Sequence, residues 1–161
     1  MKKIMLYALA ALSVAACGTK KSDTAVVDAQ NVVDEGDVYY EGILPAADVD
    51  GIRYSLALDF DDDSPEKGDY KLTETYLKDG GSPVSSFFSE GDFEIKTGTP
   101  TDSAARYLVL VPEIEAGQTP GETLYFLADS DSTLTLVGAD LAKPESPGLN
   151  YTIKRVNSLT R

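Results

Sequence analysis

Arg53-Tyr54-Ser55-Leu56-Ala57-Leu58-Asp59-Phe60 sets Tyr54, Leu56, Leu58 and Phe60 at every second position, with Arg53, Ser55 and Asp59 between them. A period of two belongs to a strand that buries one face, and the same residues fit no helical period. Asp61-Asp62-Asp63-Ser64-Pro65-Glu66-Lys67-Gly68 follows as a cluster of turn residues. Asp69 to Leu77 resumes the alternation through Tyr70, Leu72 and Tyr76, so the two runs predict a hairpin. Gly80-Gly81-Ser82-Pro83 closes the second run. Ser86 to Lys96 is the next strand, with Phe93 and Ile95 two apart and Gly91 placed for a bulge or a sharp bend.

The pattern extends in both directions. Strand character begins at Val38, and Ala46 to Gly51 predicts a single helical turn ending at Gly51. Downstream, Tyr107-Leu108-Val109-Leu110-Val111 is a continuous apolar run stopped by Pro112. Thr123 to Ala128 and Thr133 to Val137 flank the polar turn Asp129-Ser130-Asp131-Ser132, and Asn150 to Val156 alternates Tyr151 and Ile153 against Thr152 and Lys154. About eight short strands joined by hairpin-length turns, with no crossover long enough for a βαβ unit, predict an all-β antiparallel meander. Such a meander closes into a small barrel or folds into a sandwich, and closure also removes exposed edges. The aromatics Tyr54, Phe60, Tyr70, Tyr76, Phe93, Tyr107, Tyr125, Phe126 and Tyr151 lie mostly on strands, where their plain role is core filling. A partly open barrel lined by apolar groups and Tyr hydroxyls is the alternative, and it would take a small lipid-like ligand.

Composition narrows the chemistry. The chain has 161 residues, with 14 Lys and Arg against 27 Asp and Glu, one Cys and no His. This length suits one domain with a tail. Without His there is no imidazole base, no Ser-His-Asp or Cys-His nucleophile and no His metal ligand. A single Cys rules out an intrachain disulfide or a Cys-x-x-Cys pair. The net charge of −13 counts against nucleic acid as a partner. The sequence thus nominates no catalytic residue and no cofactor.

Residues 1–16 have the three parts of a secretory signal: a basic start at Lys2-Lys3, a short apolar run from Ile4, and small residues before a cleavage point. The apolar run is too short for a comfortable membrane-spanning helix, which needs about 20 residues. Val14-Ala15-Ala16-Cys17 resembles the lipobox of bacterial lipoproteins, which implies cleavage before Cys17 and acylation of that residue. Cleavage would remove Lys2 and Lys3 and leave the chain still more acidic. Gly18, where an acidic residue is absent, implies by the same resemblance an outer-membrane destination, on either the periplasmic or the surface face. Residues 17–37 read as the lipidated Cys and a flexible tether, spanning roughly 25 Å for about 20 residues. Residues 38–161 then form the barrel domain.

Tyr40-Glu41-Gly42-Ile43-Leu44-Pro45-Ala46-Ala47-Asp48-Val49-Asp50-Gly51-Ile52 resembles the NlpE N-terminal-domain family of outer-membrane lipoproteins, which are associated with copper resistance, surface sensing and envelope stress. Tyr40, Gly42, Leu44, Pro45, Ala47, Asp48, Gly51 and Ile52 match the family pattern. The likeness continues at pattern level to about Val156 and implies a small, lipocalin-like antiparallel barrel. Ala46 and Val49 occupy the positions of the family's Cys-x-x-Cys. Two thiolates there chelate Cu(I) or cycle as a disulfide, and Ala and Val do neither. The resemblance therefore carries the fold here and no metal site.

Asp59, Asp61, Asp62, Asp63, Glu66 and Asp69 place six carboxylates in one hairpin. Asp59-x-Asp61-x-Asp63 echoes the start of a calcium loop, but Ser64 replaces the required Gly and Tyr70 sits where a bidentate Glu belongs. A solvated acidic turn is the plainer reading. Taken together, the sequence predicts a non-enzymatic envelope protein, anchored in the membrane through Cys17, that binds an envelope protein partner or senses stress or a surface. Two further readings stay open: a carrier of a small hydrophobic ligand, and an acidic inhibitor of a basic hydrolase such as lysozyme.

Overall fold

The computed structural model describes residues 38–114 and 121–160. The signal segment, Cys17 and the tether lie outside the described residues. Eight strands follow one another: β1 (Val38–Leu44), β2 (Gly51–Phe60), β3 (Lys67–Lys78), β4 (Ser82–Thr97), β5 (Arg106–Pro112), β6 (Leu124–Ser130), β7 (Thr133–Val137) and β8 (Thr152–Val156). Each pairs antiparallel with its neighbour in sequence, and β8 returns to β1 to close the barrel. The described residues contain no helix. The expected all-β meander is the fold, and it is a barrel rather than a sandwich.

Register fixes what faces inward. Leu56 lies opposite Leu72, Phe93 opposite Leu110, Leu108 opposite Phe126, and Leu134 opposite Ile153. Directly opposed residues share a face, so the expected alternation becomes one continuous interior. Leu56, Leu72, Leu110, Phe126 and Ile153 are fully buried, and Phe93 retains 2% exposure. Phe60 meets Phe93 edge to face with ring centroids 5.0 Å apart. Among the strand aromatics, Tyr40, Tyr54, Tyr70, Phe93 and Phe126 are buried. They fill the core across the centre of the barrel.

Four local expectations differ from the structure. Residues 47–50 bend instead of making a helical turn, because Asp50 is held by the neighbouring hairpin: its N–H donates to the Leu77 carbonyl at 2.8 Å, and its carboxylate accepts from the Gly80 N–H at 2.8 Å. β4 starts at Ser82, earlier than expected, because Asp79 and Gly80 (φ 52° and 80°) turn the chain tightly and the Gly81 N–H closes on the Lys78 carbonyl. Pro83 is thereby inside the strand, opposite Leu77, on a stretch that β5 does not pair. Gly91 makes no bulge. The register shift falls between Tyr76 and Leu77, and Gly91 instead lets β5 approach closely.

The outward face of β2 is also more covered than alternation suggests. Ser55 and Ala57 are buried although they point away from the core. After β8 the chain folds back, Leu159 is buried, and Thr160 donates through both its N–H and its hydroxyl to the Glu41 carboxylate at 2.8 and 2.6 Å. The Ser55 hydroxyl donates to the same carboxylate at 3.4 Å.

Candidate binding surfaces at the barrel ends

With the centre filled, a ligand or partner reaches only the two ends and the outer faces. At one end, the turn after β1 carries most of the motif read from the sequence. Tyr40, Gly42 and Leu44 sit at inward positions of β1, Pro45, Ala47 and Asp48 lie in the turn, and Gly51 and Ile52 open β2. Several of these positions have a packing reason. A Cβ on Gly42 would lie 2.8 Å from the Thr152 carbonyl oxygen, so only glycine lets β8 come this close. Tyr40 donates its hydroxyl to the Asp131 carbonyl at 3.2 Å. Ala46 and Val49 are half-buried on the turn and offer no ligand atom to a metal.

The alternation hid a charged group facing inward near this end. Glu74 follows Leu72 in the inward phase of β3, opposite Tyr54, and Tyr54 donates a hydrogen bond to it. Burial pushes the Glu74 carboxyl above its ordinary range. The Tyr54 hydrogen bond pulls the other way, and the Glu122 charge adds to the rise. Burial, with that same hydrogen bond, also raises the Tyr54 hydroxyl far above its usual value. A carboxyl whose folded pKa lies above its unfolded one binds its proton more tightly in the folded state. Stability is therefore greater below the ordinary carboxylate range and is lost as pH rises through the raised value. Glu74→Gln is expected to be more stable than the parent at neutral pH, with the difference closing on acidification. Urea midpoints measured across that pH range check it.

At the other end β1 begins, β2 ends and β8 finishes. A recess of about 270 Å³ opens here, walled by Val38, Leu58, Phe60, Leu108 and Leu134. Arg106 and Arg155 stand at its rim, on the inward registers of β5 and β8, opposite Ala128 and Tyr40 respectively. The sequence held the signal for both: Arg106 is in phase with Leu108 and Leu110, and Arg155 with Ile153.

The acidic hairpin does not gather its carboxylates. Asp61, Asp62 and Asp63 are exposed in the turn. Asp59 and Asp69 are opposed across β2 and β3, and Asp69 also faces Asp92 on β4. Such opposed like charges destabilise a sheet slightly. Among the described residues, no three His, Cys, Asp or Glu side chains are grouped to hold a metal. Away from the hairpin, Asp129 joins the loop after β7 to the barrel wall: it accepts hydrogen bonds from Thr135 and Lys143, which outweigh its burial and hold its carboxyl below the usual range.

The NlpE N-terminal domain family matches residues 40–147 of the chain. Among curated proteins there is no significant match. The crystal structure of the Cpx pathway activator NlpE from Escherichia coli is similar at 28% sequence identity and a TM-score of 0.46, over 70% of this chain and 47% of that one. The chain thus spans about half the length of that protein.

Proposed function

Because this chain belongs to the NlpE N-terminal domain family, we propose that it is a lipid-anchored protein of the bacterial outer membrane that binds or senses and does not catalyse. The observation that carries the binding role is the filled barrel centre, with Leu56, Leu72, Leu110, Phe126 and Ile153 fully buried. Recognition then falls to the rims, the loops and the outer faces. A barrel of this size either fills with side chains or holds one ligand. Here the recess at the end where β1 begins measures about 270 Å³, which limits a carrier role at that mouth to something small; a wider hollow of about 620 Å³ lies on the outer side, against the loop after β7.

Anchoring follows from Val14-Ala15-Ala16-Cys17 and from the segment that joins Cys17 to the first strand at Val38. Cys17→Ala is expected to abolish incorporation of labelled palmitate and to release the protein from the membrane fraction. Label retained in the variant would overturn the anchor. Copper is not part of this reading, because Ala46 and Val49 supply no thiolate. Titration of the purified protein with Cu(I) is expected to show no tight stoichiometric site, and a tight site would reverse that conclusion.

A further inference from the structure

In a chain with a net charge of −13, two arginines line one recess at the mouth where β1 begins. Among the described residues, neither Arg106 nor Arg155 forms an ion pair, as is also true of Arg53, Lys78 and Lys154, whereas Lys67, Lys96 and Lys143 each hold a carboxylate within 3.3 Å. The arginines lie on β5 and β8, far apart in sequence, and only closure of the barrel brings them to one rim. Directly below them the wall turns apolar at Leu58, Leu108 and Leu134.

We propose that this mouth binds a small anionic amphiphile, its carboxylate held by Arg106 and Arg155 and its short apolar tail resting on Leu58, Leu108 and Leu134. Three observations support this assignment. First, guanidinium presents a planar fork of donors that matches a carboxylate, and two exposed positive charges at the rim of an apolar recess attract an anion that the rest of the acidic surface repels. Second, about 270 Å³ lies just under the ~300–1,000 Å³ usual for small-molecule pockets, so the recess suits a short chain and not a long one. Third, the filled centre below stops the tail, which fixes the head at the rim. Asp131 shares that rim and is the opposing charge. Its carbonyl is engaged by the Tyr40 hydroxyl, which leaves the carboxylate as a competitor for the guanidinium groups. The site does not depend on acylation of Cys17, so its failure would leave the palmitate-labelling result untouched.

The test uses the full chain in a non-ionic detergent, with octanoate as the probe and backbone amide shifts as the readout. Saturable shifts are expected to cluster around the mouth, at Val38, Leu108, Leu134 and their neighbours. Arg106→Gln and Arg155→Gln should each weaken binding by about tenfold. Asp131→Asn, which removes the competing anion and spares the barrel wall, should tighten it. Equal binding of 1-octanol or octyltrimethylammonium would overturn the proposal, because neither needs the arginines. Inorganic phosphate shifting the same amides as strongly as octanoate would also overturn it, in favour of a bare anion site.

Discussion

Phe93→Ala is expected to lower the unfolding free energy by about 3–5 kcal/mol, read as a fall in the urea midpoint with little change in slope. Phe93 is 2% exposed, stacks edge to face on Phe60, and lies opposite both Gly68 and Leu110. Its side chain therefore sits among three adjacent strands, β3, β4 and β5. A small domain has only about 5–15 kcal/mol in total, so this one side chain carries a large part of it. Phe88, outward on the same strand and 38% exposed, is the control: Phe88→Ala should cost no more than about 0.5 kcal/mol. A similar loss for both variants would mean that the barrel interior is not the core described above.

Gly91→Ala is expected to cost about 3 kcal/mol, at the upper end of overpacking effects. A Cβ there would lie 2.2 Å from the Val111 carbonyl oxygen and 2.7 Å from the Glu113 nitrogen. Both are backbone atoms that cannot swing aside, so the methyl group is accommodated only if β4 and β5 separate. The damage should be local at first. Hydrogen exchange is expected to speed up across Gly91–Thr97 and Arg106–Pro112 before it does so in β2 and β3, because those are the residues whose pairing the methyl group opens. Gly80 is the contrasting case: a Cβ there meets nothing within 4 Å, so Gly80→Ala is strained only by its φ of 80° and should leave exchange across β4 and β5 unchanged.

These two positions also show what the sequence disclosed. Phe93 was legible because an inward strand position repeats every second residue, and Phe93 with Ile95 keeps that beat. Gly91 was legible as a special position but not in its role. A bulge and a close approach both call for glycine, and only the neighbouring strand tells them apart. The strand order was recoverable for a related reason: hairpin turns force sequence neighbours together, so an up-and-down meander leaves few alternatives. The burial of Ser55 and Ala57 was not recoverable. Ser55 donates to the Glu41 carboxylate that Thr160 also reaches, a contact across 119 residues that leaves no trace in local alternation. The basic mouth lay between these cases. Arg106 and Arg155 were each in inward phase, but nothing short of the closed barrel puts them on one rim.

Closure by β1 against β8 has a consequence for how the molecule is assembled. The first strand waits for the last, so hairpins β2–β3 and β3–β4, whose partners are near in sequence, are free to form early, while the seam is sealed only when residues 152–156 arrive. A chain that emerges amino-terminus first leaves β1 with one bare edge until β8 arrives. That interval exposes an unpaired strand edge, and it closes when β8 seals the seam beside the Thr160 contact to Glu41.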